Sequence, residues 1–180
     1  MTGFFSNYFK VLDEKIRSIK YEELIAVSDL VDQTHNNSGK IIIIGNGGSA
    51  AIASHVSIDF TKAANIRSIN FNESSLLTCL SNDYGYEHWA EKAIEFYADK
   101  ADLVILISSS GKSMNIVNAA QYCKDQKIDL ITLSGFKNTN PLNQMGNINF
   151  HVNSEDYNFI EMTHHIILVS IVDIFAKKLD

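Results

Sequence analysis

Apolar residues recur at helical spacing near the start of the chain: Phe5, Phe9, Leu12, Ile16, Ile19, Leu24, Val27, Leu30 and Val31, with charges between them. This pattern predicts one helix over residues 4–35, stopped by Asn36-Asn37-Ser38-Gly39. The period then changes. Lys40 is followed by four isoleucines, Ile41 to Ile44, with no alternation. A β-branched run of this kind is the mark of a strand covered on both faces, as in a parallel sheet. A glycine turn, Gly45-Asn46-Gly47-Gly48-Ser49, leads into a predicted helix over 50–64. Further along come a weak strand (67–71), a short helix (74–81), a loop (82–86), a helix from Trp89 to Ala98 and a second fully apolar strand from Asp102 to Ile107. A loop of small residues, Ser108-Ser109-Ser110-Gly111-Lys112-Ser113, precedes a helix from Met114 to Gln126. The remainder reads as strand (130–133), short helical piece (141–144), strand (148–152) and a long closing helix (157–179).

Strand, small-residue loop and helix in repetition predict an α/β doubly wound fold with a mostly parallel sheet, in a single domain spanning 1–180. In such sheets ligands sit beyond the carboxyl ends of the strands, where both small-residue loops lie. The closing helix is apolar on most of its circumference between Ile160 and Phe175, so it needs cover on several sides. Together with residues 1–35, read as an N-terminal oligomerisation helix, it predicts contacts between subunits.

Composition narrows the partners. Apolar residues make up 46% and charged residues 20%, which excludes a disordered polyampholyte. A net charge of −6 argues against a nucleic-acid or anionic-membrane surface. No stretch reads as a membrane span, because Ser170 and Asp173 interrupt the apolar run near the end. Two cysteines, Cys79 and Cys123, form no disulfide framework; they are expected as buried thiols in a reducing cytoplasm.

The first loop is neither of the common nucleotide motifs. Ala50 stands where the dinucleotide pattern has its last Gly, and there is no P-loop Lys. What remains is a glycine turn opening a helix, with Ser49 at or near its N-cap. Its exposed amides suit an anion, or it is a tight turn with no ligand. The second loop says more. Capping a helix takes one hydroxyl, yet four serines, Ser108, Ser109, Ser110 and Ser113, crowd six positions. Hydroxyls and helix-start amides together can hold a phosphate without a cation.

These segments, with His55 and Asp59 on the next helix and Ser81-Asn82-Asp83-Tyr84-Gly85-Tyr86, resemble the sugar isomerase (SIS) domain family over nearly the whole chain. The resemblance implies a flavodoxin-like three-layer sandwich and a homotetramer with sites between subunits. It implies an aldose–ketose isomerase acting on sedoheptulose 7-phosphate, supplying heptose for surface polysaccharide. Two other readings stay open: an isomerase of another phosphosugar, and a non-catalytic protein binding a phosphosugar or a protein partner. By the same resemblance Ser108, Ser109, Ser110 and Ser113 would hold the phosphate. Asn46, Gly47, Ser49, Asn82, Asp83 and Glu161 would line the sugar.

Typical members bind zinc through a His and a Glu on the helix after the first loop, plus a Gln and a His on the closing helix. Here His55 matches the first His, Asp59 stands for the Glu, Glu161 for the Gln, and Val169 for the second His. His55 and Asp59 are four apart, and so are Glu161 and His165; each pair shares a helix face. His165 can therefore supply the imidazole that Val169 lacks, or it is a helix histidine at a subunit interface. His55, Asp59, Glu161 and His165 together would make a zinc or other divalent site. For the isomerisation, Asp59 is the expected base and His165 the expected acid. Asp is one methylene shorter than Glu, a displacement to which proton transfer is sensitive.

Overall fold

The computed structural model describes residues 1–177. Five parallel strands form one sheet in the order β2-β1-β3-β4-β5: β1 (Ile41–Gly45), β2 (Ser68–Asn70), β3 (Leu103–Ser108), β4 (Asp129–Ser134) and β5 (Ile148–His151). Every residue of β1 and β3 is buried, as their unbroken apolar runs require. The sheet is entirely parallel where the sequence predicted mostly parallel.

Among the described residues there are seven α-helices: α1 (Thr2–Arg17), which packs on α7, and α2 (Tyr21–Asn36), α3 (Gly48–Lys62), α4 (Ser74–Tyr84), α5 (Trp89–Tyr97), α6 (Met114–Gln126) and α7 (Tyr157–Ala176), which cover the sheet. Each face of the sheet carries its own core. Ile41, Ile43, Leu103 and Ile105 pack against Val27 and Val31 of α2, Ile52, Val56 and Phe60 of α3, and Ile167, Leu168 and Ile171 of α7. Ile42, Ile44, Val104 and Leu106 pack against Trp89, Ala93 and Ile94 of α5 and Ile116, Ala119 and Cys123 of α6. Each fully buried Ile or Leu contributes about 1.5–3 kcal/mol, so alternation of isoleucines between two cores fixes the register of β1.

The order 2-1-3-4-5 reverses direction between β1 and β3. The chain leaves β1 into α3 on one face and β3 into α6 on the other. The loops after these two strands therefore border a crevice, and both small-residue loops of the sequence stand there.

Several boundaries differ from the sequence reading, each for a local reason. The predicted 4–35 helix is two helices. The Ser18 hydroxyl donates to the Lys15 carbonyl at 2.7 Å and closes α1, and Lys20 is extended (φ −81°, ψ 125°) before α2. The five-residue step from Ile19 to Leu24 marks the break, since a continuous stripe would step by three or four. α1 buries none of its residues and leaves Phe4, Phe5 and Phe9 more than half exposed, whereas α2 buries Val27, Val31 and Thr34. The predicted 82–86 loop begins later, because residues 82–84 continue α4 to Gly85. Cys79, expected as a buried thiol, is exposed on α4. Cys123 is buried, and burial pushes its thiol up to about 12.

α7 corrects another expectation, for it has the length and apolar composition of a membrane span. Here Ile160, Thr163, His164, Ile167, Leu168, Ile171, Val172 and Phe175 are buried, most of them against the sheet and α3, which makes it a core helix. Residues 178–179 of the predicted closing helix lie outside the described residues.

Candidate active site

A cavity of about 120 Å³ opens at the β1–β3 crevice, lined by Asn46, Ser49, Ile107, Ser108, Ser109, Ser110, Ser113, Tyr157 and Glu161. All four serines of the second loop face it. Ser108 donates to Ser113 at 3.3 Å, and the Ser110 hydroxyl accepts from the Lys112 amide at 3.3 Å. Ser113 is the N-cap of α6, yet its side chain makes no capping bond. The Ser109 hydroxyl is buried without a partner. An unpaired buried hydroxyl costs about 1–3 kcal/mol. A phosphate oxygen in the cavity would satisfy it, and the α6 amides add to the same attraction.

The loop is held from below. Gly111 turns with φ +63°, and a Cβ there would collide with the side chain of Asn140. Asn140 is itself buried and donates to the Ser134 hydroxyl (3.1 Å) and to the carbonyls of Gly135 (3.1 Å) and Lys137 (2.9 Å), while accepting from Asn143 N at 3.0 Å. His164 of α7 donates from Nε2 to the Ser134 carbonyl at 3.0 Å, and its Nδ1 has no partner. Burial lowers this imidazole to about 4, against the opposing effect of the Ser134 bond, so it is neutral at physiological pH.

The first loop supplies the facing wall. Gly47 is the N-cap of α3, so Ser49, expected at or near the cap, lies buried in the first turn two residues inside it. Gly47 does not line the cavity. The amides of Asn46 and Asn115 pair reciprocally at 3.0 and 2.9 Å, and Tyr86 donates to Asn46 Oδ1 at 3.2 Å. Asn46 thus enters the site with its amide orientation already fixed. Glu161 lies over the first turn of α3, where a Cβ on Gly48 would collide with its carboxylate. Only glycine admits that approach.

The expected metal and acid–base set is divided. On the α3–α7 contact, His55 Nδ1 lies 2.8 Å from His165 Nε2 and His55 Nε2 lies 3.0 Å from Asp59 Oδ2. A proton on His55 Nε2 serves Asp59, which leaves Nδ1 to accept from His165. This three-member chain is partly exposed and none of its residues lines the serine cavity. Burial, then the proximity of His55, lowers the His165 imidazole, while Asp59 acts in the opposite sense. Both nitrogens of His55 are engaged, and Glu161 is elsewhere. Among the described residues no group of three or more His, Cys, Asp or Glu side chains is arranged to hold a metal ion. The residues present do not fit the divalent ion that the resemblance implied.

Asn82 and Asp83 also stand apart from the cavity. Both are exposed in the last turn of α4, where Asn82 donates to Asp83 at 3.0 Å. From that motif it is Tyr86 that reaches the first loop. Sequence reasoning missed Tyr86, Asn115 and Tyr157 as site residues. Asn115 carried a signal, two positions after Ser113 on a helix start, whereas Tyr157 carried none.

The fold, the crevice and the serine loop together define a SIS domain: the family model described by that name matches residues 4–135, and the chain belongs to this family. Phosphoheptose isomerases are among its relatives. The chain is 33% identical to the phosphoheptose isomerase of Aliarcobacter butzleri, over 92% of this chain and 90% of that one. It is 35% identical to that of Helicobacter hepaticus, over 84% and 80%. The solved phosphoheptose isomerase of Neisseria gonorrhoeae shares the fold with a TM-score of 0.86 at 24% identity, over 97% of this chain and 96% of that one. That of Francisella tularensis gives 0.86 at 22% identity, over 98% of each chain.

Proposed function

We propose that this protein is a phosphosugar isomerase that interconverts sedoheptulose 7-phosphate and its aldose isomer. The observation that carries the phosphate half is the Ser109 hydroxyl, buried and unpaired in a cavity lined by the three other serines of its loop and by Ser49. The relatives named phosphoheptose isomerase support the sugar and the reaction. No Lys or Arg lines the cavity, so binding is by neutral donors. These favour the phosphate dianion without trapping it, since hydrogen bonds to a charged group contribute about 1.5–3 kcal/mol each.

The reaction moves a proton between adjacent carbons through an enediol, and needs donors at the developing oxyanion. Asn46, oriented by Asn115 and Tyr86, and the buried Ser49 hydroxyl face the cavity beside the serines and are suited to that role. Incubation with sedoheptulose 7-phosphate should yield an aldose product by NMR, while unphosphorylated sedoheptulose should bind poorly. Equal binding of both sugars removes the serine loop as the phosphate site.

The exposed Phe4, Phe5 and Phe9 of α1, with Ile58 of α3 and Met162 of α7, supply apolar surface for subunit contacts in a homo-oligomer, a tetramer by analogy with the family. Sedimentation at micromolar concentration should show no dominant 20 kDa species.

A further inference from the structure

We propose that Glu161 is the general base of the isomerisation, in place of the carboxylate on α3. The inference rests on the isomerase reading and assigns its proton-transfer step. Three observations single out this residue. Glu161 is the one carboxylate among the residues lining the serine cavity. It is half-buried, and no hydrogen bond or ion pair to it occurs among the described residues, so its lone pairs are uncommitted. It is also pressed onto Gly48, at the side of the cavity formed by the first loop, and so faces the serine loop across the crevice. A substrate anchored by its phosphate at the serines extends its carbon chain toward that wall.

The alternatives are worse placed. Asp59 already accepts from His55 at 3.0 Å and does not line the cavity. Glu87 belongs to an adjoining hollow that opens past Asn46 and Ser113, but it is exposed there. Water at such a position competes for the proton and weakens the base's hold on the reacting carbon.

The step balances without a co-reactant. Glu161 takes the proton from C1 of the ketose. The electron pair of the broken C1–H bond forms the C1=C2 double bond, and the carbonyl π pair moves to O2, giving an enediolate. The hydroxyl proton passes from O1 to O2 as C1=O forms, and Glu161 returns its proton to C2. One carboxylate thus serves both carbons, and it ends in the state in which it began.

The test is steady-state kinetics of Glu161→Gln and Glu161→Asp with sedoheptulose 7-phosphate, together with exchange of the C1 proton in D₂O followed by NMR. Glu161→Gln preserves shape and removes the base. Its kcat should fall about 10²–10⁴-fold, with C1 exchange lost in parallel and phosphosugar affinity kept or slightly tightened. Retained affinity also shows that the variant is folded. Glu161→Asp should recover part of both exchange and turnover, since it keeps the carboxylate at a shorter reach. Wild-type-like kcat in Glu161→Gln overturns the assignment, as does C1 exchange at the wild-type rate. A wild type that binds the phosphosugar without turnover overturns the isomerase reading as well, so the two failures are distinct.

Discussion

Adjacent histidines on α7 lead to two different regions. His164 points inward, fully buried, and bonds the Ser134 carbonyl beneath the serine loop. His165 is rotated about 100° further around the helix and joins His55 and Asp59 on the partly exposed α3–α7 contact. The inner region is dense and braced: Asn140 alone makes four hydrogen bonds there. The outer region holds its three side chains together in a more open setting. Richness in titratable groups and proximity to the serine cavity therefore separate in this protein. The cavity is lined by neutral polar groups and one carboxylate, while the two histidines expected at the chemistry, His55 and His165, lie outside it and His164 supports it from behind.

The largest effect should come from the inner region. Gly111→Ala forces a side chain onto a backbone at φ +63° and into buried Asn140. The unfavourable backbone costs about 1–2 kcal/mol and the overpacking about 1–3 kcal/mol. Urea denaturation should show a loss of about 3 kcal/mol, with phosphosugar binding impaired. A stable variant that binds normally would show that Asn140 does not brace the loop.

His164 makes the next prediction. Its folded pKa, about 4, lies below the ordinary value of 6.5, so the unfolded chain binds more protons between these pH values. Its stabilising contribution is fully present above pH 6.5 and is lost as pH falls toward 4. The slope from this one group reaches about 1.4 kcal/mol per pH unit. Unfolding free energies measured from pH 7 to 5 should show that slope, and His164→Gln should flatten it. An unchanged slope would mean that His164 titrates normally and is not sealed behind the site.

Ser113→Ala should weaken phosphosugar binding by about 1.5–3 kcal/mol, the scale of one hydrogen bond to a charged group, and leave binding of the unphosphorylated sugar unchanged. Isothermal titration with both sugars decides this. The smallest effect on folding is expected in the outer region. Asp59→Asn breaks a partly exposed pair with His55, and chemical denaturation should register less than about 1 kcal/mol. Its kcat should fall less than that of Glu161→Gln. A deeper fall would reverse the comparison and return the base to α3.

The amino-acid sequence alone determined the layered fold, because its signals are local and dense. Unbroken apolar runs at Ile41–Ile44 and Leu103–Ile107 require a sheet covered on both sides, and small-residue loops after them mark where a ligand can approach. The serine loop was legible for the same reason, since four hydroxyls in six residues exceed what a helix start needs. The break between α1 and α2 was less so: Lys20 has no strong helix-stopping chemistry, and only the changed stride from Ile19 to Leu24 marked it. What the tertiary structure decided was which of the chemistry-bearing residues meet. Spacing of four placed Glu161 with His165 and His55 with Asp59, but spacing along one helix does not set the height at which two helices cross. The close approach allowed at Gly48 brought Glu161 to the cavity and left His165 opposite His55, a full turn away. Helix packing depends on contacts made far apart in the chain, and those contacts turned one expected centre into a cavity and a separate hydrogen-bonded chain.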